Sequence, residues 1–205
     1  MNTIPSVNLK DFLSDNPIRK QNFVNAIGQA YEEIGLVALQ GHFLDDTLVD
    51  NLYKEVKNFF CLPTETKRQY EIPGIGGQRG YVSFGKESAK GKKEGDLKEF
   101  WHFGQYVENN DKLKAEYPDN VNVKELPEFN KTGKETYKML EKTAKYVLRA
   151  LALHLGLEET YFDEYIYNGN SILRPIHYPP ITEEPKEAVR AAAHGDINLI
   201  TLLMG

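Results

Sequence analysis

Cysteine is almost absent from this sequence, since Cys61 is the only one among 205 residues. A single cysteine excludes an intramolecular disulfide, and a reducing cytoplasmic setting is therefore expected. Free cysteines usually pack as small hydrophobic side chains. We accordingly expect Cys61 to be buried and unreactive.

An excess of basic charge is also lacking. The net charge is −5 and the isoelectric point is near 5.6, so no basic surface is expected to bind nucleic acid or an anionic membrane. The first ten residues lack the basic start and apolar run of a secretory signal, and no stretch approaches the roughly 18 apolar residues of a membrane span. We expect a soluble, cytoplasmic protein that acts on a small molecule, and its oligomeric state is left open.

Apolar residues make up 40% of the sequence, which is enough to form a hydrophobic core. The length suggests one domain or two small ones. In the N-terminal part we predict a short edge strand over residues 4–9 and an amphipathic helix over 17–34. A strand over 36–40 follows. A second helix then carries one apolar stripe until Pro63 ends it.

The middle of the chain alternates between predicted loops and regular elements. Residues 73–77 are rich in glycine and residues 86–95 are charged and contain glycine, which predicts two loops, and an aromatic strand with the only tryptophan is predicted over 96–104. An acidic connection leads to the longest helix, predicted over 128–155 and ended by Gly156. A short helix over 158–165 comes next.

From residue 171 the sequence becomes typical of β-structure, with one strand predicted over 171–178 and another over 191–204. In extended backbone, residues two apart lie on the same face, so His194 and Asp196 can converge on one ion. An imidazole and a carboxylate are two of the three ligands in the 2-His-1-carboxylate site that holds Fe(II). The alternative is a half-buried histidine beside an aspartate that hydrogen-bonds to the backbone of a turn.

Several short motifs along the chain match those of a known protein family and follow the same order. The C-terminal ones are Leu-Arg-Pro-Ile-His-Tyr-Pro-Pro at 173–180 and His-Gly-Asp-Ile-Asn-Leu-Ile-Thr-Leu-Leu at 194–203. The N-terminal motifs occupy residues 33–42, 59–67, 80–85 and 99–101. Together they resemble the isopenicillin N synthase-like family of 2-oxoglutarate/Fe(II)-dependent dioxygenases.

The resemblance implies an α+β fold. An N-terminal region of mixed helices and strands leads into a double-stranded β-helix, or jelly roll, of which only the first strands are present. The expected divisions are an N-terminal dioxygenase region over 1–120, supporting helices over 121–168 and the first jelly-roll strands over 169–205. In complete relatives the chain continues, with a distal histidine ligand and an Arg-x-Ser pair that anchors 2-oxoglutarate.

The resemblance also implies roles for single residues. His194 and Asp196 are expected to bind the metal, and Tyr178 and Arg174 are candidates for contact with 2-oxoglutarate. Many relatives carry asparagine where this chain has Ile176, and this departure weakens the assignment of a cosubstrate contact. For Arg174 the alternative is a structural ion pair.

Arg79 and Tyr81 match a region that lies near the mouth of the active site in the family. They are candidates for binding a substrate carboxylate, with a solvated arginine and a packed tyrosine as the alternative. The remaining histidines all precede His194 and cannot take the distal position. We expect them to be packed or surface residues, and they are His42, His102, His154 and His177.

The cofactors implied by the resemblance are Fe(II) and 2-oxoglutarate as cosubstrate, with O₂ and a small molecule as the other reactants. Oxidative decarboxylation of 2-oxoglutarate to succinate and CO₂ would drive hydroxylation, desaturation or ring closure. Two alternatives stay open: an Fe(II) oxidase that does not use 2-oxoglutarate, and a truncated, catalytically incomplete chain that binds a partner through an exposed sheet edge. If the molecule ends at Gly205, we expect it to be inactive by itself.

Overall fold

The structure is a computed structural model that describes residues 3–87, 95–109, 111–182, 184 and 188–204. It contains helices and short strands in two compact units, one of residues 1–46 and 138–169 and the other of residues 47–137 and 170–205. The predicted α+β class is confirmed, while the predicted divisions at residues 120 and 168 stay predictions. Within the described ranges, none of the helices combines the length and apolar character needed to cross a bilayer.

The strands are short, whereas three of the helices have 15 residues or more. In chain order they are β1 (Ser6–Asn8), α1 (Leu9–Phe12), α2 (Pro17–Glu33), β2 (Ala38–Gln40), α3 (Asp46–Phe60), α4 (Thr64–Arg68), β3 (Gly80–Val82), β4 (Glu99–Gly104), a 3₁₀-helix (Lys112–Glu116), α5 (Pro127–His154), α6 (Asp163–Ile166), β5 (Ile172–Leu173) and β6 (Ile176–His177).

In the first unit, helix α2 packs beside a two-stranded parallel sheet of β1 and β2. The side chain of Asn16 accepts hydrogen bonds from the first-turn N–H groups of α2, and Pro17 supplies a favourable φ at the first helical position. The helix buries one apolar face and passes His154 closely at Gly28. A Cβ atom at Gly28 would lie 2.1 Å from His154 Cγ, so only glycine fits there.

In the second unit, the core is a cluster of aromatic side chains centred on Trp101. Its ring lies 4.8 Å from that of Phe59 and 5.2 Å from that of Phe129, both in edge-to-face geometry. The buried members are Phe59, Phe60, Tyr70, Tyr81, Trp101, Phe103, Val123, Phe129 and Tyr137. We call this set the aromatic cluster.

Strand β4 is the centre of the sheet in the second unit. It pairs antiparallel with β3 on one edge and with both β5 and β6 on the other. The pairs Phe103 with Leu173 and Phe100 with Ile176 belong to one continuous register, which places residue 174 opposite residue 102. Proline has no N–H group to donate, so Pro175 interrupts the predicted strand, although its carbonyl still accepts from Trp101 N–H at 3.0 Å.

Two sequence-based expectations are wrong. Residues 191–204 do not form the predicted strand, because nothing in the described part of the chain pairs with them and side chains such as Ile197 and Leu203 are almost fully exposed. A β-prone run without a pairing partner gains no ladder hydrogen bonds and buries no side chains. Cys61 is exposed rather than buried, since it follows the last turn of α3 instead of lying on its apolar face.

Candidate functional site

The two predicted metal ligands lie side by side in the terminal segment. His194 Nε2 and Asp196 Oδ1 are 3.6 Å apart, and both side chains are more than half exposed. The segment is not a regular strand, but its backbone still brings the imidazole and the carboxylate together. Two ligand atoms about 2.1 Å from a shared ion and at right angles to each other lie about 3 Å apart, so a small adjustment would bring both into contact with one ion.

The hydrogen bonds around this pair leave His194 Nε2 and Asp196 Oδ1 available to bind a metal ion. His194 Nδ1 donates to the carbonyl of Ala192 at 2.8 Å, so the neutral ring has its lone pair on Nε2. Thr201 Oγ1 donates to Asp196 Oδ2 at 2.6 Å and receives a hydrogen bond from Asn198. The other oxygen of Asp196 faces His194.

These two side chains are a partial ligand set. No group of three or more His, Cys, Asp or Glu side chains that could hold a metal ion occurs among the described residues. A facial triad needs one further histidine. The residues present therefore fit two of the three protein-ligand positions around Fe(II) in such a site.

Arg174 lies on the face of β4 that points away from the aromatic cluster. Its Nε donates to His102 Nε2 at 2.6 Å, and its guanidinium carbon is 4.6 Å from the centroid of the Phe100 ring. Because residues 100 and 102 alternate with the core-facing Trp101, the two aromatic rings and Arg174 share one face. This face is the second part of the candidate site.

His102 is neutral in this arrangement. Its Nδ1 donates to the carbonyl of Gly77 at 2.6 Å, while Nε2 accepts from Arg174. Burial, reinforced by the positive charge of Arg174, lowers the pKa of His102 to about 4. His102 was expected to be a packed or surface residue, and it is buried. The sequence did not predict its contact with Arg174.

An acidic residue stands beside Arg174. The Glu87 carboxylate forms an ion pair with Lys98 Nζ at 2.8 Å and lies 3.4 Å from Arg174 Nη1. Burial alone would raise the pKa of Glu87, but the hydrogen bond from Lys98 and the charge of Arg174 outweigh it and lower the pKa. Glu87 is therefore ionised, with Lys98 as its closer partner.

Tyr178 follows β6 directly and is half-exposed, as is Ile176. Its phenol ring is thus open to a ligand. The predicted contact of Tyr178 and Arg174 with 2-oxoglutarate stays a prediction.

Tyr81 lies on the opposite, core-facing side of the sheet, in register with Trp101. Its hydroxyl donates to the Glu99 carboxylate, which also binds Lys67 Nζ at 2.8 Å and His177 Nδ1 at 2.8 Å. Burial and the bond to Glu99 raise the pKa of Tyr81. The structure therefore gives this tyrosine an internal partner, and its predicted substrate contact stays untested.

Arg79 is fully buried, with 0% of its surface exposed. Its guanidinium lies against Gly104, where a Cβ atom would come within 1.8 Å of Arg79 Cζ. Nη1 donates to the carbonyl of Gln78, whereas Nε and Nη2 have no hydrogen-bond partner among the described residues. Burial lowers the pKa of this arginine, and its predicted contact with substrate also stays a prediction.

Comparison with known proteins gives the family. Residues 4–125, more than half of the chain, match the family described as "non-haem dioxygenase in morphine synthesis N-terminal". The 2-oxoglutarate-Fe(II) type oxidoreductase hxnY of Emericella nidulans is 27% identical over 98% of this chain, which spans 60% of that relative's length. The chain thus spans less than two thirds of the length of this curated relative.

Solved structures agree with this match. A 2OG-Fe(II) oxygenase family protein from Caulobacter crescentus superposes with a TM-score of 0.82 at 38% identity, over 97% of this chain and 62% of that one. A full-length Neurospora crassa protein solved in complex with alpha-KG gives a TM-score of 0.68 at 25% identity, over 86% of this chain and 51% of that one. The chain belongs to the family of 2-oxoglutarate/Fe(II)-dependent oxygenases and contains the family's non-haem dioxygenase N-terminal region.

Proposed function

We propose that the protein is a non-haem Fe(II)- and 2-oxoglutarate-dependent oxidoreductase acting on a small molecule, and that His194 and Asp196 are two of its three iron ligands. The observation that carries the proposal is the 3.6 Å approach of His194 Nε2 to Asp196 Oδ1. The other polar atom of each side chain, His194 Nδ1 and Asp196 Oδ2, is already hydrogen-bonded. Membership of the oxygenase family supports the same conclusion.

The chain's own groups would prepare this site for a cation. The Ala192 carbonyl holds the Nδ1 proton and keeps Nε2 of His194 free, and Thr201 holds one oxygen of Asp196. The Asp196 carboxylate offsets part of the positive charge. When bound, the iron would supply the activation of O₂ that oxidises a C–H bond of the substrate while 2-oxoglutarate is converted to succinate.

The test is Fe(II)-dependent formation of succinate from 2-oxoglutarate by the natural gene product that contains this sequence. We expect His194→Ala to reduce the rate at least a hundredfold, which is about 2.7 kcal/mol of activation free energy. His42→Ala is the matched control, because His42 is exposed and lies in the other unit, and its rate should be unchanged. Equal rates in wild type and His194→Ala would refute the proposal.

The same assay separates the alternatives. An oxidase that does not use 2-oxoglutarate would consume O₂ with Fe(II) and substrate but form no succinate. A non-catalytic module would do neither. One observation favours the second alternative: the apolar side chains of Ile197, Leu199 and Leu203 in the terminal segment are exposed and suit contact with another polypeptide segment.

A further inference from the structure

Trp101 is an oxidisable side chain whose own proton has no acceptor nearby. It is fully buried in the aromatic cluster, and its Nε1–H has no hydrogen-bond partner among the described residues. An indole that loses one electron becomes a radical cation, and an unpaired charge is costly to keep in an apolar interior. Because the indole proton has no acceptor there, an oxidised Trp101 regains neutrality by taking an electron from a neighbouring side chain.

Tyr70 is a neighbour that can supply this electron together with a proton. Its ring lies edge-on to that of Trp101, with 6.1 Å between the centroids. Its hydroxyl donates to Glu125 Oε2 at 2.5 Å and accepts from the N–H of Lys124 at 2.9 Å. The first distance falls in the roughly 2.5–2.7 Å range of an O–H group bound to a charged oxygen. The phenol proton is therefore already aligned with a base.

Glu125 is suited to take the phenol proton and pass it to solvent. It is exposed, whereas Tyr70 is only 6% exposed. The hydrogen bond from Tyr70 lowers the pKa of Glu125, which keeps the carboxylate ionised near neutral pH. When a base takes the proton in the same step, the phenol loses its electron without first becoming a radical cation or a free phenolate.

Tyr81 also lies opposite Trp101, but its surroundings are different. The two residues pair in the register of β3 and β4, and the Tyr81 hydroxyl donates to the buried carboxylate of Glu99. Glu99 already forms an ion pair with Lys67 at 2.8 Å. A proton on Glu99 would leave the buried Lys67 cation without its counter-charge, which is strongly unfavourable. The surroundings therefore favour Tyr70 as the electron donor.

We propose that Tyr70 is a redox-active tyrosine that returns an electron to oxidised Trp101 and gives its proton to Glu125. One electron passes from Tyr70 to the Trp101 radical cation, and the O–H bond of Tyr70 breaks as an O–H bond to Glu125 forms. The products are a neutral tryptophan, a neutral tyrosyl radical and a protonated carboxyl group. Charge and electrons balance in this step.

The transfer would protect the protein from its own oxidant. Trp101 lies between Phe100 and His102 in β4, and the side chains of these two neighbours are on the candidate-site face. The oxidant is a one-electron oxidant of the iron–oxygen class that remains unspent when no substrate is bound. A thiol or ascorbate in solution then reduces the tyrosyl radical beside the exposed Glu125. This role rests on the proposed function, whereas the transfer from Tyr70 to Trp101 does not.

The test oxidises Trp101 with light in the full chain without metal. Trp101 is the only tryptophan, so near-ultraviolet pulses that tyrosine does not absorb ionise this side chain alone. Transient absorption follows the tryptophan radical and the tyrosyl radical. We expect the tyrosyl signal to rise as the tryptophan signal decays, and to rise more slowly in D₂O because a proton moves in the same step.

Three variants assign the donor and the base. Tyr70→Phe keeps the ring but has no O–H group, and it should slow the decay of the tryptophan radical at least about tenfold and remove most of the tyrosyl signal. Tyr81→Phe removes a hydroxyl from the same aromatic cluster and should leave both signals unchanged. Glu125→Gln keeps an acceptor oxygen but takes no proton, and it should slow the transfer about tenfold. Because Glu125 is exposed, this variant tests the same step if Tyr70→Phe does not fold.

An unchanged tyrosyl signal in Tyr70→Phe, its loss in Tyr81→Phe, or equal transfer rates in wild type and Glu125→Gln would overturn the proposal. The protective role is tested in the natural gene product, incubated with Fe(II), O₂ and 2-oxoglutarate but no substrate. Mass spectrometry should show faster addition of oxygen to Trp101 in Tyr70→Phe than in wild type, and equal addition while succinate forms would refute the role. Because the light-driven transfer requires neither iron nor turnover, its failure is distinct from a failure of the succinate assay.

Discussion

Replacing Lys67 by methionine removes one partner of a buried ion pair and should lower the free energy of unfolding by about 3–5 kcal/mol. Lys67 Nζ lies 3.0 Å and 2.8 Å from the two oxygens of Glu99 and 3.1 Å from the Phe60 carbonyl. Only 7% and 6% of the two side chains are exposed, so solvent screens the pair little. Methionine keeps the apolar stem in place but leaves the Glu99 carboxylate without its cation.

The loss should depend on pH. Burial alone would raise the pKa of Glu99, but hydrogen bonds from Lys67, Tyr81 and His177 outweigh it and hold the pKa below its ordinary 4.5. Such a carboxyl group contributes stability that is fully present above its unfolded pKa and is lost as the pH falls through the folded pKa. In Lys67→Met the effect of burial is less opposed, so the pKa of Glu99 rises. The difference from wild type should therefore be larger at pH 7 than at pH 4.

The assay is urea unfolding followed by the fluorescence of Trp101, which is the only tryptophan and lies in the aromatic cluster. Lys131→Met is the matched control, because its ion pair with Glu128 is exposed on both sides at 3.8 Å and is worth about 0–1 kcal/mol. A loss in Lys67→Met no greater than in the control, or a loss that grows towards pH 4, would refute the reasoning.

Three further substitutions test the fold. Gly28→Ala should cost about 1–3 kcal/mol in thermal unfolding, because its Cβ would meet His154 Cγ at 2.1 Å, and an unchanged melting temperature would contradict this packing. Asn16→Ala removes the N-cap of α2 and should cost about 1 kcal/mol, whereas Asn25→Ala, farther along the same helix, should cost clearly less; equal losses would argue against the cap. Arg79→Met removes a buried charge with unpaired nitrogens and should change stability by less than about 1 kcal/mol or raise it, so a large loss in urea unfolding would show that Arg79 has a stabilising partner.

The long helices could be predicted from the sequence because their signals are local, whereas the short helix predicted over 158–165 is observed only over Asp163–Ile166. Apolar spacing and the Asn16-Pro17 start determine α2, and the same periodicity placed α5 within one residue of its observed ends. The predicted strand over 171–178 is observed as two short strands, β5 and β6, which Pro175 separates. His194 and Asp196 lie 3.6 Å apart, and their role as metal ligands stays a prediction.

The rest of the site depends on contacts between distant parts of the chain. His102 and Arg174 are 72 residues apart and meet only because β4 pairs with the strand that contains Arg174. Lys67 of α4 and Glu99 of β4 are 32 residues apart and likewise meet only in the folded chain. Alternation along β4 could have placed His102 on the face opposite Trp101, but no local pattern predicts which partner it finds there.

The most direct test of the account is anaerobic calorimetric titration of Fe(II) into the chain and its variants. If His194 and Asp196 share one ion, His194→Ala and Asp196→Ala should each weaken Fe(II) binding at least about tenfold, while His42→Ala should match wild type. Equal Fe(II) affinity in wild type and His194→Ala would contradict the assignment of this pair as iron ligands.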